Sequence, residues 1–187
     1  FEVDGFAVTP LGRPGRYHRL WWLKRTSDVL ISALLLLLTS PLFLICALLV
    51  KLTSKGPVFF RQERVSIDHV PFDILKFRTM TWVADPTRQA ELAHHSLKID
   101  LDDSRITPVG RILRSSHLDE IPQLVNVLRG DMSIVGPRPH AVGMTAGSIQ
   151  VTRTVGDYAH RHRMKPGMTG WAQINGSRGA CHTPDDV

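Results

Sequence analysis

The sequence predicts an α+β protein: a re-entrant helix-break-helix hairpin that dips into a membrane, followed by a small mixed domain built around a β-hairpin. Three observations predict this. Val29 to Val50 reads VLISALLLLLTSPLFLICALLV without one charge, and about 22 helical residues at ~1.5 Å each span ~33 Å, the thickness of bilayer hydrocarbon. VFFRQERV and PFDILKFRTM flank the polar stretch Ser66-Ile67-Asp68-His69, which reads as two strands and a short connection. Leu124, Val127 and Leu128 recur at helical spacing, with Asp119 and Pro122 at the start and Gly130 after the last turn, positions where a cap, a first-turn proline and a terminal glycine are expected.

Taken in order, residues 1–20 are polar and punctuated by Pro10, Gly12, Pro14 and Gly15, which predicts a linker or lead-in without a core of its own. Residues 21–187 are read as one unit. Within the apolar run, about residues 29–50, Thr39-Ser40-Pro41 falls at the midpoint. Proline removes a backbone donor and crowds the preceding turn, so a break is expected at Ser40 and Pro41, with the Thr39 and Ser40 hydroxyls able to bond freed carbonyls. Basic residues flank both ends: Arg13, Arg16, Arg19, Lys24 and Arg25 before it, Lys51, Lys55, Arg61 and Arg64 after it. A spanning helix carries its positive excess on the cytoplasmic side. Two basic ends therefore favour a hairpin with both ends in the cytoplasm over a kinked spanning helix. Trp21 and Trp22 suit the headgroup level, or ordinary core packing. Residues 81–104 predict loops with a helix of uncertain length, and residues around Gln150 to His162 a short helix.

The chain has 187 residues, 43% of them hydrophobic and 21% charged, which excludes a disordered protein and a polytopic bundle. Lys and Arg outnumber Asp and Glu by 23 to 17, for a formal charge of +6, so an anionic partner is expected. No helix-turn-helix, zinc-finger or RNA-binding signature is present, so nucleic acid is not the partner read here. Cys46 and Cys181 form neither a disulfide framework nor a zinc site, which suits reducing surroundings. His140, His160, His162 and His182 have no zinc-like partners. The start at Phe1 and the stop at Val187 are read as the ends of a fragment, truncated at its C-terminus.

The adjacent acids Asp119 and Glu120 carry the chemistry. At a helix start the dipole favours an ionised carboxylate, which serves as a nucleophile, as a Mg2+ ligand or simply as a cap. Lys76 and Arg78, Arg111 and Arg114, Arg129, and Arg138 between two prolines surround them in sequence. Arginine recognises phosphate through paired donors, so acids with this basic company suggest phosphoryl transfer, with Mg2+ reconciling a carboxylate to a polyanion. Trp171, Gln173 and Arg178 in WAQINGSRG offer a stacking ring, an amide and a guanidinium to a nucleotide.

Lys24-Arg25 with Asp28, the Ser40-Pro41 break, GPVFFRQERV, LKFRTM, SSHLDEIPQLVNVLRGDMSIVGPRP and KPGMTGWAQINGS together resemble the bacterial sugar transferase family, the monotopic phosphoglycosyl transferases. The resemblance runs from about residue 24 to residue 179. It implies transfer of a sugar 1-phosphate from a UDP-sugar to undecaprenyl phosphate, with release of UMP, at the cytoplasmic face of the bacterial inner membrane, starting exopolysaccharide or other glycan assembly. It implies Asp119 as nucleophile and metal ligand, forming an aspartyl-phosphosugar, Glu120 as assistant, and Lys76, Arg114 and Arg138 as phosphate-binding residues, with Mg2+ as cofactor. It further implies a re-entrant helix held by membrane lipid. GPRPHAVGM and INGSRG look most like members using UDP-glucose, with UDP-galactose next. The chain departs from the family pattern at Ser177-Arg178, where many members place the arginine one position earlier, and at Ser66 to His69, which lack the usual glycines. Larger members carry a further membrane region before this unit and continue beyond it. The rival is an inactive membrane-bound scaffold of the same fold; homo-oligomerisation stays open.

Overall fold

The computed structural model describes residues 2–3, 6–7, 18–66, 70–83, 85, 103–139, 145–146, 149–150 and 164–175. Two short strands, β1 (Glu2–Val3) and β2 (Phe6–Ala7), pair antiparallel. The helix α1 then runs from His18 to Thr53. The hairpin β3 (Phe59–Val65) and β4 (Pro71–Phe77) follows, paired from Phe59↔Phe77 to Val65↔Pro71. It forms where the alternating segments predict it, and Ser66 N–H donates to Val70 O (2.8 Å) beside the connection. The helix α2 (Pro108–Ser115) opens with Pro108 and is capped by Thr107, whose hydroxyl accepts from Gly110 N–H (2.9 Å). Next come a 3-10 turn (Leu118–Glu120), α3 (Gln123–Arg129), β5 (Ser133–Val135), the pair β6 (Thr145–Ala146) and β7 (Ile149–Gln150), β8 (Gly167–Thr169) and α4 (Trp171–Ile174). The helices expected within residues 81–104 and near 150–162 fall largely outside the described residues.

Two expectations need correction. The break at Ser40-Pro41 does not interrupt α1, which continues through Pro41. Proline deprives only one carbonyl of its partner, that of Leu37, and Ser40 Oγ donates to that oxygen (2.8 Å). Thr39 Oγ1 similarly donates to Leu35 O (2.7 Å). The helix expected to begin near Asp119 begins instead at Gln123. Pro122 has no N–H to give to Leu118 O, and Ile121 N–H donates there over three residues instead (3.2 Å), which tightens the acid pair into its own 3-10 turn. At the other end Gly130 terminates α3 with φ 94, as its position after the last turn predicts.

Both ends of the apolar segment are tied to the folded domain. On the N-terminal side, Arg25 donates to Val127 O (2.5 Å) and Leu128 O (2.8 Å) at the C-terminal end of α3. The buried Asp28 accepts from Ile134 N–H (3.1 Å) and Ser133 Oγ (2.8 Å). On the C-terminal side, Cys46 and Val50 form one core with Phe77 and Leu113, joined by Phe43, Val58, Val109, Leu118 and Ile121. Phe43, Phe59 and Phe77 stack in a triad with centroids 4.9–5.9 Å apart, worth about 0.5–1.5 kcal/mol per pair beyond burial. Between these anchors Leu34, Leu37, Leu38 and Leu44 are exposed. Only 11% of the most apolar 18-residue stretch is buried against the rest of the protein, which disfavours a soluble core helix.

A second core, Ile74, Val127 and Met132 with Ile134 and Met168, joins β4, α3, β5 and β8. β5 and β8 run parallel, Ser133↔Gly167 and Val135↔Thr169. Here the backbones approach so closely that a Cβ on Gly167 would lie 2.1 Å from Gly136 N, so glycine is required. That contact fixes the Pro137-Arg138-Pro139 segment against the Lys165-Pro166-Gly167 segment.

Candidate active site

The acid pair is placed by three local devices. α2 ends at Ser115, and His117 adopts the left-handed conformation (φ 58), an uncommon backbone for a side-chain-bearing residue that histidine tolerates better than most. The chain thereby turns into the 3-10 segment. Leu118 and Ile121, on either side of the acids, pack into the core that contains Cys46 and Val50 of α1. The acids are thus carried on a turn whose apolar flanks rest on α1.

Lys76 on β4 reaches across to this turn, its Nζ 2.5 Å from Glu120 Oε1. The position of β4 is set by the fully buried Asn126 of α3, which accepts from Leu75 N–H (2.9 Å) and donates to Asp73 O (2.7 Å). Arg114, at the end of α2, is half-buried and oriented by Nε donating to Thr79 Oγ1 (2.8 Å). Arg138 lies close enough to Glu120 to act on it electrostatically.

Burial pushes the Asp119 carboxyl above its ordinary range, and Glu120 adds to this against the pull of Lys76 and Arg114. The helix-start reading, in which a dipole keeps Asp119 ionised, is thereby corrected: the acids sit outside the first turn of α3. Glu120 behaves oppositely. Burial would raise it, but the ion pair with Lys76, then Arg138 and His117, outweigh this and hold it below the usual glutamate range. Two neighbouring carboxylates with pKa values driven apart are suited to separate roles. Among the described residues no set of three or more His, Cys, Asp or Glu side chains forms a metal cage.

The structure thus gathers Lys76, Arg114 and Arg138 around Asp119 and Glu120. It does not bring Arg78 there. Arg78 is buried at the C-terminal end of α1, where its guanidinium donates to Ser54 O (2.9 Å), Ser54 Oγ (2.7 Å) and Lys55 O, a cap on carbonyls that the helix leaves unsatisfied. Gln173 is buried on α4, donating back to Met168 O of β8 (3.1 Å). Arg178 lies outside the described residues. Trp171 is 81% exposed. Sequence reasoning counted Arg64 only as a basic flank, yet its side chain lies beside Arg138 and Glu120. Strand alternation carried that signal, because Arg64 falls on the same face of the hairpin as Lys76.

Comparisons with known proteins show the family. The chain is similar to a UDP-glucose:undecaprenyl-phosphate glucose-1-phosphate transferase of Caulobacter vibrioides, 48% identical over 86% of this chain and 56% of that protein. It is 43% identical to one of the same name from Klebsiella pneumoniae over 97% of this chain and 37% of that protein. An exopolysaccharide production protein of Rhizobium leguminosarum is 45% identical over 87% of this chain and 78% of its own length. The chain spans about a third to a half of the two glucose-1-phosphate transferases. A family model described as bacterial sugar transferase matches residues 19–187. The chain belongs to the bacterial sugar transferase family.

Proposed function

We propose that the protein transfers a sugar 1-phosphate, glucose 1-phosphate before galactose 1-phosphate, from a UDP-sugar to undecaprenyl phosphate with release of UMP, and so begins exopolysaccharide or other glycan assembly. The observation that carries this is Asp119: a half-buried carboxylate set among Lys76, Arg114 and Glu120, on a turn seated against the membrane helix. An Asp119 oxygen attacks the sugar-bearing phosphorus, the bond to UMP breaks, and UMP leaves with the bonding pair. An oxygen of the lipid phosphate then attacks the same phosphorus and displaces Asp119, which returns as the free carboxylate. The covalent intermediate lets a soluble donor and a lipid acceptor react in turn, without both being bound at once.

Lys76 and Arg114 stabilise charge on the phosphoryl oxygens. Glu120, held ionised, keeps Lys76 in place and lies within electrostatic reach of Arg138. Mg2+ fits the donor set, because it commonly binds through one or two carboxylates, waters and substrate phosphates and needs no protein cage. Asp119 would hold it, and when bound it supplies charge neutralisation for the diphosphate.

The reading places the catalytic domain on the cytoplasmic face of the bacterial inner membrane, with the apolar segment dipping into one leaflet. Support comes from the domain's grip on both flanks of that segment, at Arg25 and Asp28 and again at Cys46 and Val50. A polar domain cannot hold both ends of a helix across the bilayer. Cysteines introduced before Lys24 and after Lys51 are expected to label from the same side with an impermeant reagent; labelling from opposite sides would refute the placement of both ends on one face. The activity itself is tested by UMP release from a panel of UDP-sugars with undecaprenyl phosphate and Mg2+ in detergent. UDP-glucose is expected to turn over fastest, whereas no release with any donor would favour the inactive scaffold.

A further inference from the structure

The strand pairing of β3 with β4 places Arg64 on the hairpin face that also carries Lys76 and the buried Ile74. Charges alternate across the site, from Arg114 to Asp119, Lys76, Glu120 and Arg138. Arg64 breaks the alternation. Its two charged neighbours are Arg138 and, less strongly, Glu120, and the guanidinium is largely enclosed. Nη1 donates to Pro139 O (3.2 Å) and Nη2 to Gln62 Oε1 (2.6 Å), both neutral acceptors. The Nε–H is buried and meets no acceptor among the described residues. A buried donor left unmade costs its full desolvation penalty, and two neighbouring guanidiniums repel. Burial, with Arg138 beside it, pushes Arg64 down to about 10. A bound phosphoryl group removes both penalties, because a guanidinium offers several donors in one plane to its oxygens.

We propose that Arg64 completes a two-guanidinium phosphate subsite with Arg138, its Nε–H reserved for an oxygen of a substrate phosphoryl group. The proposal rests on the transferase reading above and deepens it. The subsite lies on the Glu120 side of the acid pair. The shared ligand chemistry is a phosphate monoester, which the reaction supplies from two sources: UMP on the donor side and the polyprenyl phosphate on the acceptor side.

The test measures equilibrium binding of UMP and of farnesyl monophosphate to the full chain in detergent, for wild type, Arg64→Gln and Arg64→Lys. Arg64→Gln is expected to weaken one of the two ligands about tenfold while leaving the other within about twofold. Loss for UMP assigns the subsite to the nucleotide phosphate, and loss for farnesyl phosphate assigns it to the acceptor. Should Arg64→Gln fail to fold, Arg64→Lys keeps the charge, the aliphatic stem and a donor for Pro139 O but lacks the Nε–H, and the same selective loss is expected. Unchanged binding of both ligands by a folded variant overturns the subsite. Equal weakening of both overturns it too, because that result belongs to a residue that merely props Pro139. Wild type binding neither ligand refutes the transferase reading itself and the subsite with it.

Discussion

On the covalent route proposed above, replacing Asp119 by Asn will lower UMP release from a UDP-sugar by at least about 10³-fold, because the amide cannot form the phosphosugar and the neighbouring carboxylate, Glu120, is engaged by Lys76. The loss is expected to come without loss of fold. Burial raises the Asp119 carboxyl above its unfolded value. A group raised in this way contributes stability below its unfolded pKa and loses that contribution as pH rises through the folded value. At neutral pH the ionised Asp119 therefore costs the fold something. The Asn variant, relieved of that charge, should melt at the same or a higher temperature than wild type. A variant that lost activity and melted markedly lower would mark Asp119 as structural. The same shift sets the acid limb of the rate profile: wild-type activity should fall with decreasing pH above the range of a solvated aspartate. Glu120 has the opposite sign, so its contribution to stability is present at neutral pH and fades only as pH drops through its lowered value.

Replacing Asn126 by Leu will destabilise the protein by about 2–4 kcal/mol. Asn126 is 0% exposed and bridges Leu75 N–H, Asp73 O and Asp131 Oδ2, the last at 3.2 Å. Leucine branches in the same way and is larger, so no cavity opens. The cost comes from polar groups left buried without partners. A melting temperature in detergent within about 1 °C of wild type would show that those groups find other partners. Activity should fall as well, because Leu75 precedes Lys76, and the seat of β4 against α3 decides whether Lys76 meets Glu120.

Features that depend on a short stretch of chain were legible in the sequence. An uncharged run of apolar residues has one favourable environment. Alternation on either side of a polar stretch makes a hairpin, and Gly130 ends a helix because it can take a left-handed backbone. The adjacency of Asp119 and Glu120 within an arginine-rich stretch marked the candidate site. Where the reading slipped, a nearby partner had compensated: Ser40 supplies the hydrogen bond that Pro41 withholds, so α1 continues, and Pro122 separates the acids from α3 instead of opening a helix at them.

Lys76 and Arg78 state the division most clearly. They stand two residues apart in LKFRTM, both basic and both plausible phosphate ligands. Lys76 meets Glu120, while Arg78 is buried against the carbonyls of Ser54 and Lys55 just past the end of α1. No local property separates them, because the fate of a long cation depends on which anion or carbonyl the fold brings opposite. By itself the sequence determined the long apolar helix, the β-hairpin and the family, and it singled out the acid pair as a candidate, all of which rest on neighbours along the chain. Only the tertiary structure decided that burial lifts Asp119, that Lys76 holds Glu120 ionised and that Arg64 stands beside Arg138, since burial and charge proximity arise between segments far apart in sequence.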